Sequence, residues 1–237
     1  MSHANDRSNV EVHDSRVKYL RRMYSLFSLE LLTGSVAAAL FVGYKSSDPQ
    51  QTPWIVQYYG IAVATIVISI ALMIVAYVIR RRRTDLLSWA IWALFYVCVA
   101  YSLSFIALVE PSLLVMFILT TFTCIAVGIT LYSLTSNTYL ESTTAFLVIF
   151  GSSLLSFEAF LIFTNVDFIL LVIFYAVTLV FGFYINYDVR NVIRQAGATE
   201  MSRDNYVLGS IKIYVEIVLV FFRLLELLAH SFRREKN

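Results

Sequence analysis

Apolar positions along this chain come in seven long runs separated by short polar breaks. The runs extend from about Met23 to Tyr44, Trp54 to Ile79, Leu86 to Val109, Ser112 to Leu134, Thr143 to Phe163, Phe168 to Tyr187 and Tyr206 to Ala229. Each reaches the roughly 20 residues that a helix needs to cross a hydrocarbon core. Apolar side chains are continuous within the runs, which excludes the alternating strands of a membrane barrel. Only helices and closed barrels satisfy their backbone in lipid. The pattern therefore predicts an all-α membrane protein of seven transmembrane helices. The breaks support the division. Arg80-Arg81-Arg82-Arg83 stops the second run, and Glu110-Pro111 stops the third because proline disfavours helix in the residue before it.

Composition agrees. The chain is 59% hydrophobic and 14% charged, whereas a soluble domain is about 45–50% apolar and about 25% charged. Residues 1–22 are polar and are expected to form a disordered cytoplasmic arm. Residues 23–229 form one membrane domain, and residues 230–237 a short basic tail. The first apolar run is too long, and lacks the cleavage site, for a removable signal peptide, so it reads as a retained signal-anchor. Cys98 and Cys124 both fall inside apolar runs, which argues against a disulfide framework.

Basic residues orient the chain, since Lys and Arg collect in cytoplasmic loops. The arm has five of them, the second loop four and the sixth loop three, while the first loop has Lys45 alone. The N-terminus is therefore expected in the cytoplasm. Arg233, Arg234 and Lys236 would fall on the opposite side if the seventh run crosses fully, so the side of the tail stays open. Gly34, Ser35, Ala37 to Ala39, and Gly151 to Ser153 read as helix contact faces, because small residues let helices approach closely. Trp54, Tyr58, Tyr59, Trp89 and Trp92 read as interfacial anchors.

The seventh run holds Lys212, Glu216, Arg223 and Glu226. Its apolar residues supply about −7 kcal/mol for insertion against about +12 kcal/mol if all four charges sat centrally. A lone, lipid-facing helix fails on that comparison. Arg223 and Glu226 lie near one end and can snorkel and pair. Glu216 falls near the middle, and Lys212 precedes it by one turn on the same face. Such a stripe belongs inside a bundle or beside water. The seventh helix is therefore expected at the centre, wrapped by the other six. Asp188, at the end of the sixth run, is a second acid that can meet Glu216. On position alone it is equally an interfacial carboxylate reaching loop water.

The stretches "YINYDVRNVI" and "SRDNYVLGSIKIYVEIVLVFFRLLELL" resemble the end of the Bax-inhibitor-motif family, also called the lifeguard family. Its members read Tyr-Asp-Thr-Gln at the end of the sixth helix and Asn-Leu-Tyr-x-Asp-Ile in the seventh. "RVKYLRRMYSLFSLELLTG" resembles the family's opening. The resemblance implies a seven-helix calcium leak with a central seventh helix. It also implies a proton-sensitive gate made by two acids, at positions that match Asp188 and Glu216. Two carboxylates held together cannot both ionise easily. Calcium needs several deprotonated oxygens, so proton and calcium compete for one site. This chain departs from the pattern in three places. Glu216 replaces the usual Asp, Arg190 stands where Gln is usual, and Lys212 replaces Asn. A lysine one turn from Glu216 can act as a tethered cation in the place calcium would take. The bland alternative is that Lys212 snorkels toward the cytoplasmic loop.

Other classes fit less well. An intramembrane metallohydrolase needs histidines inside the spans, but His3, His13 and His230 all lie outside. An intramembrane aspartyl protease needs a Gly-x-Gly-Asp that does not follow Tyr187-Asp188. No enzymatic activity, cofactor or nucleic-acid partner is expected. The resemblance implies calcium as the permeant species, with Asp188 and Glu216 as its site and Lys212 as modulator. The alternatives are a non-conducting membrane adaptor that restrains cell death or traffics partner proteins, and an orphan seven-helix receptor without the usual Asp-Arg-Tyr signature. The expected partners are the bilayer and cell-death regulators. The expected location is the endoplasmic reticulum, Golgi or a related endomembrane.

Overall fold

The computed structural model describes residues 2–47, 59–79, 85–109, 112–136, 142–164 and 168–195, and residues 206, 207, 209–211, 213–215 and 217–219. Six helices account for nearly all of them: α1 (Ser2–Ser47), α2 (Tyr59–Ile79), α3 (Asp85–Val109), α4 (Ser112–Thr135), α5 (Ser142–Phe163) and α6 (Phe168–Gln195). The described residues between 206 and 219 are helical as well. Five helices are long and apolar enough to cross a membrane, and α6 adds a shorter apolar stretch, Leu171–Tyr184. The described residues are thus all-helical with five candidate spans, short of the seven expected.

Two boundaries differ from the sequence reading. The arm expected to be disordered has helical backbone from Ser2 onward. No glycine or proline occurs before Gly34, so nothing in the chain breaks the helix between the arm and the first span. At 46 residues α1 is about 70 Å long at 1.5 Å per residue, more than twice the hydrocarbon thickness. Similarly, α6 runs past Asp188 to Gln195, where a loop was expected. The first glycine or proline after Asp188 is Gly197, and Val189, Val192 and Ile193 keep a helical apolar spacing.

Consecutive helices run antiparallel, as cross-contacts show. Tyr59 packs on Phe105 and Thr65 meets Ser102, so α2 opposes α3. Phe117 packs on Phe160 and Thr121 meets Ser156 at 2.9 Å, so α4 opposes α5. Phe146 stacks on Phe183 and Phe157 packs on Tyr175, so α5 opposes α6. Helix α1 lies antiparallel to α4 through a hydroxyl ladder: Ser28 to Thr130 at 2.5 Å, Ser35 to Thr123 at 2.7 Å, and Thr130 to the Tyr24 carbonyl at 2.9 Å. Hydroxyls serve here because lipid gives no hydrophobic drive between helices, and close packing and hydrogen bonds take over. Among the described helices α4 has the most neighbours, touching α1, α3, α5 and α6. The seventh run, expected at the centre and wrapped by the other six, falls largely outside the described residues. Val207, Ser210, Ile211, Ile213, Tyr214 and Ile217 are buried, whereas Leu219 is exposed.

Basic side chains of α1 close two other helices. Arg21 donates from Nε to the Ser133 carbonyl at 2.7 Å and from Nη2 to the Ser136 carbonyl at 3.0 Å. Lys45 Nζ donates to the Leu108 carbonyl at 2.6 Å. Helix C-termini leave carbonyls without partners and carry partial negative charge, so a cation from a neighbouring helix suits them. Arg21→Ala is expected to lower stability by about 1–2 kcal/mol, read as a fall in Tm in detergent, and Arg21→Lys to restore part of it.

The small-residue faces hold at Gly34, Ser35, Ala38 and Ser153 but not at Gly151. Gly151 is exposed and a Cβ there meets nothing within 4 Å. Close approach falls at its neighbour Ser152, whose Oγ would overlap a Cβ on Gly128 of α4, and at Gly182 of α6, where a Cβ would lie 2.8 Å from Ile149 Cγ2 and 3.1 Å from Ile125 Cδ1. Isoleucine is stiff at its branch and cannot swing away. Gly182→Ala is therefore expected to cost about 1–3 kcal/mol by overpacking, while Gly151→Ala leaves the thermal midpoint in place.

Candidate functional site

Glu30 lies in the middle of the first span and is 1% exposed. Burying a carboxylate there is costly unless its oxygens are satisfied. Two other elements reach it. Trp92 of α3 donates its indole N–H to Oε1 through a short hydrogen bond, and Ser210 Oγ lies 3.4 Å from the same oxygen. The other oxygen, Oε2, is sealed from solvent and has no hydrogen-bond partner among the described residues. No cation pairs with Glu30 among the described residues.

Each partner is itself held. Trp92 stacks on Tyr96 with centroids 5.9 Å apart, and the Tyr96 hydroxyl donates to Thr33 Oγ1. Both contacts arise because residues 92 and 96 of α3 share a face one turn apart, as do Glu30 and Thr33 on α1. Trp89 packs edge-on against Trp92 and against Tyr206, and the Arg22 guanidinium sits 5.5 Å from the Tyr206 ring centre. An aromatic column thus leads from the basic end of α1 to the buried carboxyl. Trp92, expected as an interfacial anchor, is instead the principal donor to Glu30.

The 206–219 segment approaches α1 closely because Gly209 has no side chain. A Cβ there would lie 2.6 Å from the Tyr19 hydroxyl and 3.1 Å from Met23 Sδ. One turn on, Tyr214 is 0% exposed and wedges between α1 and α3, edge-on to Phe27 at 6.4 Å and to Phe95 at 6.0 Å. Its hydroxyl lies 3.6 Å from where a Cβ on Gly34 would be. That hydroxyl is also sealed and without a hydrogen-bond partner among the described residues. Glu30 and Tyr96 are its electrostatic neighbours.

The site is therefore one carboxyl with one engaged and one open oxygen, beside one open hydroxyl. It has acceptors for a proton or a water. It lacks the ligand set of a metal centre, and no group of three metal-binding side chains occurs among the described residues.

The residues singled out from sequence fall elsewhere. Asp188 lies on the helical backbone of α6, with its side chain outside the described residues. Lys212 and Glu216 are outside the described residues too. Sequence reasoning passed over Glu30, although the signal was available: it is the one acid between Met23 and Tyr44, and an ionisable residue inside a span is a functional candidate by default.

The family model described as "Inhibitor of apoptosis-promoting Bax1" matches residues 16–234. No curated protein and no solved structure matches the chain.

Proposed function

We infer the function from one premise: this chain belongs to the Bax-inhibitor-motif family, the inhibitors of apoptosis-promoting Bax1. It is an integral, multi-pass membrane protein of that family. Its proposed role is a slow, proton-sensitive calcium leak in an endomembrane, which lowers stored calcium and so restrains cell death. The observation that carries this reading is the family match over residues 16–234, which includes both acids of the proposed gate, Asp188 and Glu216. In this reading the two carboxylates take either a shared proton or calcium, since each ligand needs the oxygens that the other occupies. The N-terminus faces the cytoplasm. The excess of Lys and Arg in the arm and even-numbered loops supports that orientation.

Lys212 favours a second reading, a non-conducting adaptor that acts through partner proteins, because its ammonium can occupy the gate permanently. Store content in cells separates the two. Expression is expected to lower the calcium released from internal stores by an ionophore. Glu216→Gln and Asp188→Asn should abolish that effect at equal expression. Unchanged stores, with protection from cell death retained, would favour the adaptor.

A further inference from the structure

We propose that Glu30 is a proton-binding site, separate from Asp188 and Glu216, whose neutral carboxyl fastens the 206–219 segment to α1 and α3. The argument begins with the two orphan atoms. Glu30 Oε2 and the Tyr214 hydroxyl are both buried and both without a hydrogen-bond partner among the described residues. Buried polar atoms are seldom left so. A proton on Oε2 resolves the pairing. It turns an orphan acceptor into a donor, and the Tyr214 oxygen, an electrostatic neighbour that makes no direct hydrogen bond to it, can accept from it through one water. Oε1 remains the acceptor for Trp92 and Ser210.

The competing occupants fit less well. Calcium takes six to eight oxygens, and this site offers one open carboxyl oxygen and one phenol. A water alone leaves a full charge in the bundle without a counter-ion among the described residues, which is the costly state. Among the described residues, Tyr214 of the 206–219 segment is the titratable neighbour of Glu30, and Tyr96 of α3 bonds Thr33, about one turn along α1. Helices α2 and α4 contain no Asp, Glu, Lys, Arg or His, and the only such residue of α3 is Asp85 at its start. On α1, Arg22 is engaged over Tyr206, two turns away. Lys212 and Glu216 lie outside the described residues.

The site has a mechanical consequence that rests on the leak reading. Ser210 and Tyr214 belong to the same segment as Glu216. Removing the proton from Glu30 leaves a buried charge beside them and loosens the segment that carries one of the gate acids. Raising the pH should therefore release this contact, and lowering it should restore the contact.

Infrared spectroscopy of the full-length protein in lipid vesicles tests the site without reference to transport. The expected result at neutral pH is the C=O stretch of a protonated carboxylic acid, resolved from carboxylate and amide bands. In an Asp188→Asn/Glu216→Gln background, which removes any proton shared by the gate acids, the band should remain, and adding Glu30→Gln should remove it. Trp92→Phe should shift its frequency by deleting the donor to Oε1, and this second variant serves if Glu30→Gln fails to fold. A missing band, or one that survives Glu30→Gln and ignores Trp92→Phe, would overturn the proposal. If the vesicles pass no calcium while the band behaves as stated, the leak reading fails and the proton site stands.

Discussion

Tyr214→Ala is expected to destabilise the bundle by about 3–5 kcal/mol, the usual range for truncating a fully buried aromatic. Tyr214 is completely enclosed, and its ring meets Phe27 of α1 and Phe95 of α3 edge-on. Removing it opens a cavity at the point where three helical elements converge. The surrounding side chains are themselves packed, since Leu31, Leu103 and Ile217 are also buried in this cluster, and can collapse only in part. The loss should appear as a large drop in Tm in detergent and as protease sensitivity after α6. Tyr214→Phe keeps the ring and removes only a hydroxyl that has no partner among the described residues. Its effect should be smaller, about 1–2 kcal/mol, because the proton proposed on Glu30 then loses its acceptor while the packing is kept. Equal losses from both variants would show that the hydroxyl, and not the packing, secures the segment.

Lys212→Asn is expected to raise calcium conduction on the order of tenfold, the factor that corresponds to about 1.4 kcal/mol. Lys212 lies one turn before Glu216, a spacing at which helix side chains are neighbours. In a low-dielectric bundle an ammonium that close pairs with the carboxylate, since leaving either charge alone is costly. On the proposed leak reading, such a pair would hold a cation where calcium would bind. On that reading a cation fixed there also competes with a proton for the site, so proton sensitivity would be blunted. Asparagine removes the tethered charge, so current in planar bilayers should rise and become more dependent on pH. If Lys212 instead snorkels to the loop, the substitution will change neither.

Much of this architecture was legible in the sequence, and the misses have physical causes. Continuous apolar runs place α3, α4 and α5 within a residue or two of their observed ends, because hydropathy over a span is set by the bilayer and not by neighbours. The arm before Val17 and the extension of α6 beyond Tyr187 were misread for the opposite reason. Outside lipid no hydropathy signal marks a helix, and only the absence of glycine and proline does so. The polar site was missed because its parts are far apart in the chain. Ser210 is 180 residues from Glu30, and Trp92 is 62 residues from it. Trp92 looked interfacial because a tryptophan near a span end usually is. Glu30 itself was readable, for the same cost that drew attention to Glu216 applies to it. Gly151 misled because a small residue permits close approach without requiring it.

Calcium entry into liposomes holding only the purified protein is the most direct test of function. Entry is expected to exceed that of protein-free vesicles, to rise in Lys212→Asn, and to fall as the medium is acidified. Asp188→Asn or Glu216→Gln should abolish it in either background. Vesicles that stay impermeable with both the wild-type chain and Lys212→Asn, at equal and verified incorporation, would contradict the leak.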